Sequence, residues 1–108
     1  MVWRDLQTED QLHNIVQQSA EKPVLIFKHS TRCSISSMAK SRLERSEAPG
    51  GVDFYYLDLI KYRPVSNQVA ELFGVAHESP QVLLIKSGKC VYDESHNGIL
   101  MDEVAARL

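Results

Sequence analysis

The amino-acid sequence predicts an α/β fold with a central mixed sheet of four to five strands flanked by helices. Apolar residues recur alternately at helical and at strand spacing, which gives the element order α-β-α-β-α-β-β-α. Alternation of this kind is typical of parallel strands joined by helices, and a short glycine-containing turn between the last two strands predicts an antiparallel edge. A chain of 108 residues has room for one core, so we expect a single domain over residues 1–108.

The first helix and the first central strand have clear boundary signals. Thr8-Glu9-Asp10-Gln11 has the pattern of a capping box and predicts a helix over residues 9–20. Pro23 ends this helix and precedes a run of strand-forming residues, 24–29. Two apolar residues before the helix form either a short edge strand or an apolar lid: Trp3 and Leu6.

A second helix and a second strand follow. The helix is predicted over residues 34–47, because the segment 48–51, Ala-Pro-Gly-Gly, is a strong terminator. Its apolar residues recur at helical spacing: Ile35, Met38, Ala39 and Leu43. Residues 52–58 are rich in aromatic side chains and alternate in part, which predicts a strand.

The last third of the chain contains a helix and a hairpin. Pro64 is suited to the first turn of a helix, and Gly74 is suited to its C-cap. Residues 82–85 and 90–92 read as strands joined by the turn Ser-Gly-Lys, and therefore as a hairpin. A weak apolar pattern predicts a last short helix: Leu100, Val104 and Leu108.

Composition excludes several classes of function. The formal net charge of −2 provides no basic field for nucleic acid and no polybasic patch for anionic lipid. No apolar stretch approaches a membrane span, and the N-terminus lacks the apolar region of a signal peptide. Two cysteines cannot form a disulfide scaffold. We therefore expect a cytoplasmic protein with reduced thiols.

The candidate active site is Cys33, which lies where the strand 24–29 gives way to the helix 34–47. Unpaired N–H groups and the positive end of the helix dipole favour the thiolate at such a position. The flanking residues Thr31, Arg32 and Ser34 predict a polar, accessible loop. Arg32 and His29 are candidates for positive charge beside the sulfur. The alternatives are a solvated arginine and a strand-end histidine with ordinary hydrogen bonds.

Ser36 occupies the position of the second cysteine in a C-x-x-C motif, and this decides the expected mechanism. No resolving thiol lies one helical turn from Cys33, so a mixed disulfide on Cys33 must pass to an external thiol. The strand that precedes the site, with Phe27 in its centre, offers no carboxylate. Proton transfer to and from the sulfur is therefore expected from the substrate, from water or from Ser36.

The segment Lys28-His29-Ser30-Thr31-Arg32-Cys33-Ser34-Ile35-Ser36 resembles the signature of the monothiol bacilliredoxin family, which is usually written with Thr-Cys-Pro-Ile-Ser at its centre. The resemblance extends over nearly the whole chain and implies a thioredoxin-like fold. It also implies a thiol–disulfide oxidoreductase that removes bacillithiol from mixed disulfides on proteins. Arg32 separates Thr31 from the cysteine, and Ser34 stands where proline is usual, which leaves an extra N–H group at the helix start.

The same resemblance implies the remaining site residues and the partners. Ser79–Pro80 is expected to be a cis peptide bond near the Cys33 sulfur, with the Ser79 backbone free to pair with an extended substrate. Bacillithiol or a similar small thiol is the expected co-substrate, with no tightly bound cofactor. The expected partners are proteins that carry small-thiol mixed disulfides, and a small thiol or a reductase system as the reductant. Nucleic acid and membranes are not among them.

The remaining chemistry-bearing residues favour no second site. Cys90 lies in the closing strand and is interpreted as a small buried hydrophobic residue. The four histidines show no metal-binding spacing, so we expect no metal site: His13, His29, His77 and His96.

Two other functions stay open from the sequence. The pattern C-x-x-S also occurs in monothiol glutaredoxins, which carry iron–sulfur clusters, although Ser34 and Ile35 differ from the Gly-Phe pair of that motif. The other alternative is a thioredoxin-like adaptor that binds peptides without turnover.

Overall fold

One five-stranded sheet forms the centre of the protein in a computed structural model, which describes residues 1–108. The strands are β1 (Trp3–Asp5), β2 (Val24–His29), β3 (Asp53–Asp58), β4 (Gln81–Lys86) and β5 (Lys89–Ser95). Their order in the sheet is β1-β3-β2-β4-β5. β1, β3 and β2 are parallel, whereas β4 and β5 run antiparallel to their neighbours. The mixed sheet expected from the sequence is confirmed.

Helices cover both faces of this sheet. They are α1 (Glu9–Gln18), α2 (Ser34–Arg45), α3 (Arg63–Phe73) and α4 (Met101–Ala105), with a 3₁₀ turn at His96–Gly98. None of them has the length and apolar character that crossing a membrane would require. The Thr8–Gln11 capping box is formed, and Gly74 caps α3 with φ of 65°, a conformation that suits glycine. Two helices end two residues before the predicted boundary, α1 at Gln18 and α2 at Arg45.

The central strand β2 separates two apolar cores. All six of its residues are buried, because helices cover both faces. Leu25 and Phe27 belong to the core beneath α2 and α4, and Val24 and Ile26 belong to the core beneath α1 and α3. Alternation along the strand therefore directs Lys28 toward the α1 and α3 face and His29 toward α2.

The N-terminal segment is an edge strand and not a lid. β1 pairs in parallel with β3, with Trp3 opposite Phe54. The Trp3 ring stacks on Phe27, with ring centroids 5.6 Å apart. The indole N–H also donates a hydrogen bond of 2.9 Å to Glu44 of α2.

The apolar face predicted for α2 is partly wrong. Ile35 is 48% exposed and Met38 is 63% exposed, whereas Ala39 and Leu43 are fully buried. The residue that completes the inward face is Ser36, since positions 36, 39 and 43 share one side of a helix. Ile35 and Met38 are therefore surface residues beside the Cys33 loop.

The last helix also differs from its predicted pattern. It is only five residues long, and its inward side chains are Met101 and Val104, with Ile99 buried just before it. Leu100 and Leu108, which the pattern placed on the apolar face, are 42% and 40% exposed.

The direction of each strand brings separate segments to one edge of the sheet. β2 and β3 end at this edge and β4 begins there, since Lys28 pairs with Gln81 and His29 pairs with Asp58. The loop that carries Cys33, the start of α3 and the Ser79–Pro80 bond therefore lie at the same edge. In α/β sheets this is the edge where ligands bind.

Candidate active site

Cys33 is the N-cap residue of α2. Its backbone is extended (φ −111°, ψ 122°), its N–H donates to the Ser30 carbonyl at 3.1 Å, and its carbonyl accepts from the Ser37 N–H at 3.1 Å. The thiol makes no side-chain capping bond and is not part of a disulfide. The residue is partly buried and directly precedes the first, unpaired N–H groups of the helix.

The residues around Cys33 in the loop are exposed, as expected for an accessible site. Thr31, Arg32 and Ser34 are all exposed, and their side chains make no hydrogen bond within the chain. The first turn of α2 contains no acidic residue. The positive end of the helix dipole beside Cys33 is therefore not offset by a nearby carboxylate in that turn.

Ser36 is buried on the inner side of α2 and is held from two directions. Its Oγ lies 2.7 Å from His29 Nδ1 and accepts the Ser30 N–H at 3.0 Å. The serine oxygen can accept two hydrogen bonds, so His29 Nδ1 either accepts the Ser36 hydroxyl or donates to Oγ, according to the tautomer. In both cases Ser36 joins the first turn of α2 to the end of β2. Substrate, water and Ser36 all stay expected proton sources for the Cys33 sulfur.

His29 has the surroundings of a structural histidine. Its ring is buried between Phe27 and Tyr56, with centroid distances of 5.7 and 5.5 Å. Burial, and then the positive charge of Lys40, hold the pKa of His29 below its ordinary value, although Asp58 acts in the opposite direction. The imidazole is thus kept neutral, and its hydrogen bond with Ser36 joins α2 to the end of β2.

The Ser79–Pro80 segment lies just before β4. Its peptide bond is cis, Pro80 is buried, and the Pro80 carbonyl accepts the His96 N–H at 3.1 Å. Ser79 is half-buried, and its hydroxyl has no hydrogen-bond partner. Strand pairing brings this segment to the edge where Cys33 lies. Contact between Pro80 and the Cys33 sulfur stays a prediction.

Cys90 lies at the opposite edge of the sheet. It pairs with Ile85, whereas the Cys33 loop follows Lys28, the partner of Gln81. Gln81 and Ile85 are four residues apart along β4, which corresponds to about 14 Å at about 3.4 Å per residue. The Cys90 Sγ lies 3.3 Å from the Tyr92 carbonyl oxygen, and burial raises the pKa of the Cys90 thiol.

Sequence reasoning missed a group of basic residues at the active-site edge. Lys28 is fully buried, and its Nζ is 3.4 Å from His77 Nδ1 on the loop before Pro80. The signal for Lys28 was a charged residue inside an otherwise apolar central strand. No local signal marked His77. Nowhere in the chain do three or more histidine, cysteine, aspartate or glutamate side chains cluster in a way that could hold a metal ion.

Comparisons with known proteins agree with this architecture. A solved structure that is 30% identical covers 97% of this chain and 92% of its own, with a TM-score of 0.82. Its description assigns it provisionally as an oxidoreductase with a thioredoxin fold. Thioredoxins of Fasciola hepatica and Trypanosoma brucei brucei have TM-scores of 0.74 and 0.78. Each is 16% identical; they cover 96% and 98% of this chain and 94% and 90% of their own, and they show the fold alone.

The thioredoxin-like fold expected from the sequence is thus confirmed. Residues 4–104 match the family described as monothiol bacilliredoxin BrxC. The match includes the Cys33 loop, the helix α2 that follows it and the Ser79–Pro80 segment. The chain therefore belongs to the monothiol bacilliredoxin family and is a monothiol oxidoreductase of thioredoxin fold.

Proposed function

We propose that this protein removes a low-molecular-weight thiol, bacillithiol, from mixed disulfides on other proteins, with Cys33 as the only reacting cysteine. The observation that carries the proposal is the position of Cys33 at the N-cap of α2, partly exposed, with a serine at the third helical position. A cysteine at that third position would resolve a mixed disulfide internally, and the buried Ser36 cannot.

The first step is an exchange at the adduct. The Cys33 thiolate attacks the sulfur of the small thiol, a new disulfide forms between them, and the bond to the client sulfur breaks. The client leaves as a thiolate, which takes a proton from water. The attacking sulfur belongs to the N-cap residue of α2, which the first N–H groups of the helix follow.

The second step regenerates Cys33. A second molecule of the small thiol, as its thiolate, attacks the sulfur of the small thiol bound to Cys33, and the Cys33–sulfur bond breaks. The products are the symmetric disulfide of the small thiol and free Cys33. The sulfur of the second small thiol is oxidised while the client cysteine is reduced, and the first small-thiol sulfur stays in a disulfide throughout, so the exchange balances and no other cofactor is required. A reductase-fed partner thiol is the other possible attacking group.

In this proposal Thr31, Arg32 and Ser34 form the rim that meets the adduct, since their side chains are exposed and free of internal hydrogen bonds. The Ser79 backbone, next to the cis bond, is proposed to pair with the client chain on the other side of the sulfur. Ser36 is proposed to position the loop, because its side chain is hydrogen-bonded to His29 and to the Ser30 N–H at the end of β2.

The test is a model protein that carries bacillithiol on one cysteine, incubated with this chain and followed by intact mass spectrometry. The adduct should move to Cys33 as the model protein loses it, and excess bacillithiol should then clear it. Cys33→Ser should abolish transfer, whereas Cys90→Ala should not, because Cys90 lies at the opposite edge.

Three outcomes would contradict the proposal. Loss of the adduct from the model protein without its appearance on Cys33, at any time, would exclude the relay. A Cys33 thiol that alkylates no faster than a peptide cysteine and never accepts the adduct would favour the peptide-binding adaptor. Anaerobic purification of a brown, iron-containing protein would favour the iron–sulfur carrier.

A further inference from the structure

The loop that precedes the cis peptide bond, residues 76–79, has no backbone hydrogen bond to the rest of the chain. The last such bond before it is donated by the Val75 N–H to the Ala70 carbonyl at 3.1 Å. The next is accepted by the Pro80 carbonyl from the His96 N–H. Between these two points the loop is held by side chains alone.

Two buried side chains supply the contacts beneath this loop. Gln81 Nε2 donates to the Ala76 carbonyl at 3.1 Å, and Lys28 Nζ lies 3.4 Å from His77 Nδ1. Gln81 is 1% exposed and Lys28 is 0% exposed, so both are fixed in the fold, whereas Ala76 and His77 are exposed. Consecutive residues of the loop are therefore attached to the sheet by two separate polar side chains.

Strand pairing explains why both side chains reach the same loop. Lys28 at the end of β2 is directly opposite Gln81 at the start of β4. Directly paired residues of antiparallel strands direct their side chains to the same face of the sheet. This is the face that α1 and α3 cover, and the loop passes from the end of α3 to the start of β4.

The contact between Lys28 and His77 has a defined direction. With a pKa of about 8, Lys28 is charged at neutral pH and can only donate, so His77 Nδ1 accepts. Burial, then the charges of Lys28 and Arg63, lower the pKa of His77, although Glu78 acts in the opposite direction. The imidazole is thus a neutral acceptor. Glu78 itself is exposed and lies 3.8 Å from His96.

The main chain of Ser79, two residues after His77, is free. Neither its N–H nor its carbonyl takes part in a backbone hydrogen bond, whereas Pro80 beside it is buried. Free main-chain groups beside a strand are what an extended peptide uses when it binds by strand addition. The direction of these groups depends on where the preceding loop is held.

We propose that Lys28 and Gln81 are positioning residues, which hold the 76–79 loop so that the Ser79 main chain is ordered before an extended client binds. The inference rests on the proposed function and identifies what orders its client-binding segment. Both side chains act through the loop. Without them the client must order the loop as it binds, and the lost conformational freedom weakens binding without slowing the exchange that follows.

The experiment compares two donors of the same adduct in single turnover. One is an extended peptide with bacillithiol on a central cysteine, and the other is bacillithiol disulfide, which has no peptide main chain. The rate at which the adduct appears on Cys33 is measured against donor concentration. For the peptide, His77→Leu and Lys28→Met should raise the half-saturating concentration about tenfold, which corresponds to about 1.4 kcal/mol, and change the maximal rate by less than about twofold. For bacillithiol disulfide both parameters should stay as in wild type.

Matched variants assign the effect to these contacts. His77→Gln keeps a hydrogen-bond acceptor for Lys28 and should restore peptide binding, and His13→Leu removes an exposed histidine of α1 and should have no effect. The double variant Lys28→Met/His77→Leu should bind the peptide no more weakly than either single variant, because both remove one contact. Gln81→Met removes the other contact and should add to the loss. Since His77 is exposed, its variants test the proposal even if a buried substitution impairs folding.

A measurement on the free protein separates the positioning role from the proposed function. Backbone order parameters of the 76–79 loop, from ¹⁵N relaxation, should fall in His77→Leu and return in His77→Gln. Order parameters that do not fall, an unchanged half-saturating peptide concentration in His77→Leu, or a rise shared by bacillithiol disulfide would each overturn the positioning role and leave the proposed function standing. Failure of both donors to place the adduct on Cys33 of the wild-type chain would overturn the two together.

Discussion

Replacement of Lys28 by methionine should make the protein more stable, although it removes a central-strand residue. Methionine keeps the length of the buried aliphatic stem and removes only the ammonium group, which is fully buried and has no carboxylate partner. Burial, followed by the charge of Arg63, lowers the pKa of Lys28 from 10.5 to about 8. The charged form is therefore disfavoured in the folded state.

The size of the effect follows from this pKa. The drop from 10.5 to about 8 is equivalent to about 3 kcal/mol against the charged form. Solvent screening beside exposed Arg63 and His77 reduces this figure, so we expect a gain of about 1–3 kcal/mol near neutral pH. Replacement of buried ion pairs by packed apolar side chains shows gains of the same order.

The pH dependence provides a second signature. Below about pH 8 the lysine is charged in both the folded and the unfolded state, and the full penalty applies. Between about pH 8 and 10.5 the folded state has released the proton while the unfolded chain still binds it, so wild-type stability rises with pH. The advantage of Lys28→Met should therefore be complete below about pH 8 and should disappear by about pH 10.5.

The assay is urea unfolding of wild type, Lys28→Met and Lys89→Met across this pH range, with midpoint and slope recorded. The exposed Lys89→Met control should change stability by less than about 0.5 kcal/mol. A Lys28→Met protein that is less stable by more than about 1 kcal/mol near neutral pH would refute the reasoning. The ammonium group would then have a stabilising partner in the free protein. A gain that does not decline with pH would refute the assignment to its charge.

Three other substitutions test the site. Ser36→Cys places a thiol at the third position of α2, within reach of Cys33, and should form an internal disulfide seen by intact mass, whereas Ser37→Cys on the exposed side should not. Ser36→Ala leaves His29 and the Ser30 N–H without their partner and should cost about 1–3 kcal/mol in urea unfolding, with thiol exchange retained; an unchanged stability would show that the bond is dispensable. Cys90→Ala should keep bacillithiol transfer, and accumulation of a Cys33–Cys90 disulfide during turnover would contradict the monothiol mechanism.

The sequence alone was sufficient where the signal is local. The Thr8–Gln11 capping box and the bounds of β2 at Val24 and His29 emerge as predicted, and Gly74 caps its helix in the left-handed conformation. Each depends on residues within one or two turns of one another. The position of Cys33 at a strand-to-helix junction belongs to the same class, and so does the motif that places the chain in its family.

The structure decided which side chains face inward where local patterns are ambiguous. Ile35 and Met38 have helical spacing, but α2 turns Ser36 toward the sheet, where its hydroxyl forms a hydrogen bond with a buried histidine at the end of β2. Hydrophobic spacing does not carry this information, since it treats serine as a surface residue. A polar pair of this kind becomes visible only when strand and helix are packed.

The group of basic residues at the active-site edge, Lys28, His77 and Arg63, could be found only from the tertiary structure. Lys28 and His77 are 49 residues apart, and Arg63 joins them only because β3 ends and β4 begins at the same edge of the sheet. The sequence shows a lysine in a strand and leaves open whether its charge is solvated. Burial and the absence of a carboxylate partner come from residues distant in the chain, because desolvation and Coulomb energy depend on spatial distance and not on sequence separation.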